Sequence, residues 1–388
     1  MQFEITHDFA DERFREFVQE NFCGERESIL KSDIDTVTAL NLSGLGISSL
    51  QGIEHFTALQ KLDCSYNGLT LLDLRQNREL VKLNCRSNLL IELNMSPHQL
   101  LQELDCSLNL FRTLDLSRNT RLEKLECQEN MISRLDLSNN PGLMVLQCSY
   151  NSLHELNLGH NTALEQLDCS SNYIITLNIA ECTELLEIRC NHNHLTRLDT
   201  SKHPGLTGLR CFNNHLTGLD LSHNKQLTKL YCSENKLTVL DTSHNPQLTE
   251  LDYANNLIIQ PDHEVEGVGT LRYDNTFTCY SAAFSYLGHE LPVTAEVKTK
   301  TDAEHLTSQI QKVWAELDKL LDRVLLQIAG AHPDEDVNEL ELAELNFADD
   351  GSFRIGYDAG DTPAGRLCIY AAFDSEGELD PELIYEMY

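Results

Sequence analysis

The sequence predicts an α/β-type solenoid of parallel β coils with few helices, followed by a small C-terminal α+β domain. Nine cysteines from Cys64 to Cys232 stand 21 residues apart without exception, and Tyr253 takes the tenth place. An asparagine follows each of these ten positions by three residues, from Asn67 to Asn256. A fixed period of about 20–29 residues is typical of units that bury their apolar face only by stacking on their neighbours. The period ends at Asn256, so a different kind of domain is expected beyond it.

The repeat unit reads L-x-C-x-x-N-x-L-x-x-L-D-L-S-x-N-x-x-L, and its clearest copy begins at Leu104. Alternation of Leu and Cys with polar residues predicts a short strand that turns Leu and Cys inward. Neighbouring coils should then stack in parallel at about 4.8 Å. The unit resembles the leucine-rich repeat. That resemblance implies a solenoid whose concave face is the usual docking surface.

Each unit contains two similar halves, and the asparagines indicate which half forms the main sheet. The asparagine column is unbroken in the half that contains the cysteines. In the other half it is interrupted by His98, Cys182 and His203. We therefore expect the main sheet in the cysteine half and a looser edge in the other.

The N-terminal region resembles the cap of a bacterial family of leucine-rich repeat proteins related to the internalins. The similarity lies in the segments 11–18 and 40–54, and it continues through the repeats. It implies a helical cap over residues 1–37 and a solenoid over residues 38–262. Relatives often hold calcium in this cap, but residues 23–28 lack the Asp-x-Asp-x-Asp-Gly spacing that calcium requires.

Residues 263–388 are predicted to form the α+β domain. A hairpin is expected at 277–287 and 291–299, turning at Gly288. One continuous helix should begin at a capping box, Thr301 to Glu304, and end at Gly330. Three strands are expected near residues 339–347, 352–358 and 365–373. The terminal stretch from Phe353 to Glu386 resembles small bacterial domains, some of which are encoded beside toxins as immunity proteins.

Charge and cysteine content limit the function classes. The chain has 29 basic and 61 acidic residues, a formal net charge of −32, which argues against nucleic-acid and anionic-membrane binding. Residues 331–388 hold 16 acidic residues against Arg354 and Arg366. That segment is either a solvated acidic surface or a contact for a basic partner such as a nuclease toxin. The 13 cysteines, an odd number, indicate reduced thiols and a cytoplasmic location, although a specialised secretion system would leave no mark here.

No catalytic constellation emerges, and no cofactor or metal site is predicted. The cysteine column is interpreted as core thiols, because metal sites need converging pairs rather than a straight line. His223 and His244 lie on adjacent coils and are interpreted as solvated turn residues. Cys279 and Cys368 have no evident partner for nucleophilic catalysis.

The most partner-like surface comes from residues that the register turns outward. Arg and aromatic side chains are the commonest interface hot spots. The predicted protein-binding residues are Arg189, Asn191, His192, Arg210, Phe212, Asn213 and Tyr231.

These observations favour a monomeric, non-enzymatic recognition protein that binds a protein partner on the concave face of its repeats. One alternative is an immunity protein that neutralises a basic toxin through its acidic C-terminal domain. Another is a secreted effector with enzymatic activity in that domain.

Overall fold

The computed structural model describes residues 3–258, 262–276, 278–296, 300–333, 336–363 and 365–388, the side chains of 300–305 and 338 excepted. The chain divides into two compact units, Met1–Asn256 and Leu257–Tyr388.

A helical cap begins the first unit. It contains a 3₁₀ turn at Thr6–Asp8 and two helices, Glu12–Phe22 (α1) and Lys31–Ile34 (α2). Asp11 caps α1, because its Oδ1 accepts from the backbone N–H groups of Arg13 (3.1 Å) and Phe14 (3.2 Å). Its Oδ2 accepts from the N–H and hydroxyl groups of Ser48, both at 2.7 Å. The Asp11 carboxylate therefore caps the N-terminus of α1 and links this helix to the first coil through Ser48.

Thirteen three-residue strands follow within the described part of this unit. In chain order they are Ala39–Asn41 (β1), Lys61–Asp63 (β2), Lys82–Asn84 (β3), Glu103–Asp105 (β4), Lys124–Glu126 (β5), Val145–Gln147 (β6), Glu155–Asn157 (β7), Gln166–Asp168 (β8), Thr176–Asn178 (β9), Glu187–Arg189 (β10), Gly208–Arg210 (β11), Lys229–Tyr231 (β12) and Glu250–Asp252 (β13). Eleven of them form one sheet from β1 to β13 on the cysteine half, and β7 and β9 form a separate pair on the other half. The expectation of a main sheet on the cysteine half is confirmed.

The register of the main sheet follows the 21-residue period. Leu146 pairs with Leu167, and Leu167 with Ile188, so the central residue of each strand lies beside its equivalents. These central residues are buried from β1 to β12, as are the column cysteines, and Leu251 of β13 is half-buried. The two outer residues of each strand therefore face solvent.

Each column asparagine fastens two successive coils. Asn151 is typical: its Nδ2 donates to the carbonyl oxygens of Cys148 (3.2 Å) and Cys127 (2.9 Å), and its Oδ1 accepts from the N–H of Ile132 (2.9 Å). The residue before it, Tyr150, has a φ of +52°. Equivalent residues with positive φ recur once in every coil from Tyr66 to Asn255. The asparagine bonds hold this unfavourable left-handed turn in place.

The other half uses the same device with fewer bonds. Asn140 Nδ2 donates to Leu116 O (3.2 Å) and Asn119 O (2.8 Å). Where this column lacks asparagine, His203 Nε2 lies 3.1 Å from Ile179 O, and Cys182 Sγ lies 3.3 Å from Leu158 O. The substitutes therefore keep the contact to the preceding coil.

The second unit is an eight-stranded sheet with two helices. Its strands are His263–Val265 (β14), Gly269–Asp274 (β15), Cys279–Tyr286 (β16), His289–Glu296 (β17), Glu341–Phe347 (β18), Phe353–Thr362 (β19), Gly365–Phe373 (β20) and Leu379–Met387 (β21). They pair in sequence order, and the crossing from β17 to β18 is parallel. The helices Lys300–Ala315 (α3) and Leu317–Ala331 (α4) lie in that crossover, as a parallel connection requires. Ile310, Val324 and Ile328 of the helices pack on Val293 and Ile355 of the sheet.

Two expectations for this unit differ from the structure. The single helix predicted up to Gly330 is wrong, because the chain leaves helical geometry at Glu316, with φ −112° and ψ 7°. The apolar spacing continues from Val313 to Leu317 across this break, so periodicity could not reveal it. Strands β14, β15 and β21 were not expected. The side chains of the predicted capping box at Thr301–Glu304, and residues 277 and 297–299 of the predicted hairpin, lie outside what the structure describes.

Within the described residues, no helix combines the length and apolar character that crossing a membrane requires.

Candidate functional site

The predicted binding residues lie on three neighbouring coils of the main sheet. Arg189 ends β10 and pairs in register with Arg210 of β11, which pairs in turn with Tyr231 of β12. Parallel strands place such neighbours about 4.8 Å apart. Asp168 on one side and Asp252 on the other continue the same row. Two arginines and a tyrosine are thus bounded by two aspartates.

Arg210 and Tyr231 form a stacked pair. The guanidinium carbon of Arg210 lies 4.8 Å from the centroid of the Tyr231 ring, within cation–π range. The Tyr231 hydroxyl donates to Glu250, and this bond raises the pKa of the tyrosine. Glu250 also pairs with Lys229 at 2.6 Å. The hydrogen bond to Glu250 therefore fixes the hydroxyl end of Tyr231, and the guanidinium of Arg210 stacks on the face of its ring.

The two arginines differ in their own contacts. Arg189 lies 3.2 Å from Glu187 of the same strand, and both side chains are about half exposed, 47% and 49%. An exposed pair of this kind contributes at most about 1 kcal/mol. Arg210 has no ion pair among the described residues. Its guanidinium donors are therefore available to a ligand.

The remaining predicted residues form a second row beyond the column cysteines. The rings of His192 and Phe212 meet edge to face at 4.9 Å. Asn213 Nδ2 donates to Glu234 at 3.0 Å. His192 and Asn213 are left-handed residues, with φ values of +54° and +51°, and both are exposed. Asn191 is half-buried one residue after Cys190.

Sequence reasoning missed a run of stacked rings next to this row. Tyr173 lies between His154 (centroids 5.6 Å apart) and His194 (6.0 Å). His194 stacks on His215 at 5.7 Å, with the ring planes only 12° apart. The last three rings follow their column cysteines by four residues, so the same register could have located them.

Other candidate chemistry has structural explanations. The column thiols are fully buried, and burial raises the pKa of Cys127 to about 12. His223 and His244 each contact a neighbouring serine through Nδ1 at 3.1 Å. The described residues contain no group of three His, Cys, Asp or Glu side chains that could hold a metal ion.

The C-terminal sheet carries a polar cluster outside the core that the helices cover. The Tyr370 hydroxyl donates to Glu344 at 2.5 Å and lies 3.0 Å from the Tyr388 hydroxyl. Arg354 stacks on Tyr370 (5.4 Å) and pairs with Glu386 (3.1 Å). Burial and the bond to Glu344 raise the pKa of Tyr370, so its hydroxyl stays protonated. These groups satisfy one another, which is typical of a structural network.

Comparisons with known proteins identify the architecture. No family model matches the chain. A stretch of 70 residues, 18% of this chain, is 37% identical to Internalin J of Listeria monocytogenes serotype 4b (strain F2365). The match covers only 8% of that curated relative, so the chain corresponds to a small part of it.

Two solved structures are similar over about two thirds of this chain. An internalin, InlF, from Listeria monocytogenes strain 4b F2365 has a TM-score of 0.57 at 20% identity, covering 66% of this chain and 85% of that one. The functional domain of InlJ from Listeria monocytogenes, which includes a cysteine ladder, has a TM-score of 0.46 at 29% identity, covering 68% and 73%. The repeats of this chain form an internalin-like leucine-rich repeat solenoid.

Proposed function

We propose that the chain is a non-enzymatic recognition protein that binds a protein partner on the concave face of its solenoid. The observation that carries the proposal is the arginine–tyrosine pair on β11 and β12, with Arg189 beside it. Arg210 lacks an ion pair among the described residues, and the hydroxyl of Tyr231 is fixed by its hydrogen bond to Glu250. A pre-positioned ring and an unpaired guanidinium are typical of interface hot spots.

The proposed binding surface comprises the three coils that contain these residues. Phe212 and His192 would extend it by one row, with Asn191 and Asn213 at its margin. The leucine-rich repeat architecture supports this function, because solenoids offer extended surfaces and few enclosed pockets. The absence of enzymatic activity is part of the proposal, and it is supported by the buried thiols and the satisfied polar cluster around Tyr370.

The proposal is tested by affinity capture with the full-length chain carrying Arg210→Ala and Tyr231→Ala together. Partners captured by the wild type should be lost, because hot-spot truncations cost about 2 kcal/mol or more each. The matched control is Arg118→Ala with Tyr150→Ala, which removes the same side chains from exposed positions outside the surface. Loss in the control variant, or retention in the test variant, would contradict the proposal.

A second candidate function rests on the acidic C-terminal segment. A net charge of −14 in residues 331–388 favours a contact with a basic protein, such as a toxin in an immunity pair. The same capture separates the two functions, because a basic partner of that segment would remain bound to the Arg210→Ala, Tyr231→Ala variant.

A further inference from the structure

The charges in one outward row of the main sheet change sign along the solenoid. In the row formed by the last residue of each strand, Asp105, Glu126 and Asp168 precede Arg189 and Arg210. Tyr231 and Asp252 follow. The positive part of the row is therefore two coils wide, with Asp168 beside Arg189 on one flank and Tyr231 followed by Asp252 on the other.

We infer that this positive window binds a single carboxylate of an otherwise neutral or basic peptide segment of the protein partner. The inference rests on the proposed function and specifies the chemistry of its ligand. Arg189 and Arg210 lie on neighbouring strands about 4.8 Å apart, so their two forked guanidinium donors can reach one carboxylate between them.

The neighbouring contacts leave room for such a group. Arg210 forms no ion pair among the described residues, and the pair of Arg189 with Glu187 is exposed and exchangeable. The first residue of β11 is Gly208, which has no side chain to cover the backbone beside Arg210. A Cβ at Gly208 would lie 3.7 Å from Glu187 Cγ, an ordinary contact, so the backbone accepts a side chain at this position.

The flanking aspartates select against a strongly acidic ligand. Asp168 and Asp252 stand two coils from Arg210 on either side, about 10 Å away. Three residues of a polyproline II segment, which completes one turn in three residues at about 3.1 Å each, span about the same distance and return to the same face. A peptide lying along the solenoid axis would therefore place basic residues opposite both aspartates when they are three positions from the acidic residue.

The overall charge of the protein favours the same pattern. At about 0.15 M salt the Debye length is about 8 Å, so a ligand at the window responds to the nearest charges. A net charge of −32 repels strongly acidic partners at longer range. A doubly charged phosphate would be repelled by both aspartates more strongly than a singly charged carboxylate. For that reason the window is assigned to a carboxylate.

The test uses three capped heptapeptides of the pattern Lys-Ala-Ser-X-Ala-Ser-Lys, with X as Glu, Gln or phosphoserine. The full-length protein is labelled with ¹⁵N-arginine, and the side-chain Nε–H signals of Arg189 and Arg210 are assigned from Arg189→Gln and Arg210→Gln. At 150 mM salt the Glu peptide should shift both signals saturably. The Gln peptide should bind at least about tenfold more weakly, because a charge-assisted pair is lost.

Two variants sharpen the result. Arg189→Gln with Arg210→Gln should abolish Glu-peptide binding, as judged by the backbone amide signals of β11 in uniformly ¹⁵N-labelled protein. Gly208→Phe should weaken binding of the same peptide, because the added ring covers the backbone beside Arg210. Both arginine signals should remain visible in this variant. Equal shifts with the Gln peptide, no shift at either arginine, or a phosphoserine peptide more than tenfold tighter than the Glu peptide would overturn the inference.

Failure of this inference is distinguishable from failure of the proposed function. If Arg210→Ala with Tyr231→Ala abolishes partner capture while no peptide shifts the arginines, the recognition surface stands and the carboxylate assignment is wrong. If that variant keeps its partners, the proposed function is wrong whatever the peptides do.

Discussion

At the scale of single residues, the cysteine column shows how burial makes thiols unreactive. The nine thiols lie between coils with no exposed surface, and burial raises the pKa of Cys127 and Cys232 to about 12. The thiolate is the reactive form, so almost none is present at neutral pH. Regular spacing of cysteines in this fold therefore indicates packing and not redox chemistry.

This predicts selective labelling by iodoacetamide in the native protein at pH 8. Cys279, the one half-exposed thiol among the described residues, should react first, and the column from Cys64 to Cys232 should stay unmodified. Mass spectrometry of tryptic peptides measures each site. Urea-unfolded protein is the control, in which all 13 cysteines should react. Rapid native labelling at Cys148 would show that the column is not buried as described.

His98 occupies a buried asparagine position, and this substitution should make stability pH-dependent. Burial lowers its pKa below the ordinary 6.5, so the unfolded chain binds a proton more readily than the folded one. Its contribution is complete above pH 6.5 and is lost as the pH falls through the lower, folded pKa.

His98→Asn should therefore flatten the loss of stability between pH 7 and pH 5. Asparagine can also donate to two carbonyls, as Asn119 does, which should add about 0.5–1.5 kcal/mol at pH 7. Urea denaturation at both pH values measures the change. Gln247→Asn, an exposed substitution that changes no titratable group, is the control and should leave the pH dependence unaltered. An unchanged slope in His98→Asn would refute this explanation.

At the scale of secondary-structure elements, the cap depends on one carboxylate. Partial burial of Asp11 would raise its pKa, but the hydrogen bonds from Ser48, Phe14 and Ser49 outweigh this effect and leave the pKa lowered. Because the folded pKa is lowered, the stabilisation is present above the ordinary pKa of 3.8 and is lost as the pH falls through the folded value.

Asp11→Ala should remove both the helix cap of α1 and its link to the first coil. The expected cost is about 1–2 kcal/mol in the free energy of unfolding at pH 7, typical of a lost N-cap. Chemical denaturation measures it. Glu16→Ala, on the exposed face of the same helix, is the matched control and should change stability little. Equal effects of the two substitutions would contradict the assigned role of Asp11.

The elements differ in how far sequence alone could predict them. The 21-residue period was sufficient for strand register, because each coil must bury the same Leu and Cys positions. It could not reveal the left-handed turn, since the residues there, such as Tyr66, Leu108 and Glu129, have no shared preference for positive φ. Strand β21 was missed because Pro381 and its acidic residues weaken the strand pattern.

For the candidate site, the sequence predicts where residues lie in the sheet but not which side-chain contacts they make. The outward position of Arg210 and Tyr231 could be predicted from the column register alone. The bond from Tyr231 to Glu250 could not, because it links side chains 19 residues apart across neighbouring coils. That Arg210 has no ion pair among the described residues depends on which rotamers its acidic neighbours adopt, and periodicity holds no information on rotamers.

At the scale of the whole molecule, the excess of negative charge should oppose folding. A net charge of −32 makes the folded chain repel itself, most of all in residues 331–388. Salt shortens the range of this repulsion from about 30 Å at 0.01 M to about 8 Å at 0.15 M. Thermal stability should therefore rise with sodium chloride between these concentrations.

A charge-reducing variant tests whether repulsion is the cause. Glu376→Gln with Glu382→Gln removes two exposed carboxylates from the C-terminal unit. At 10 mM salt it should raise the Tm of that unit by about 2 °C, in keeping with a surface effect of a few tenths of a kcal/mol. At 300 mM salt the difference should disappear, because the repulsion is already screened. Differential scanning calorimetry measures both. A gain in Tm that persists at high salt would mean that the substitutions act by local propensity and that self-repulsion is not what limits the stability of this unit.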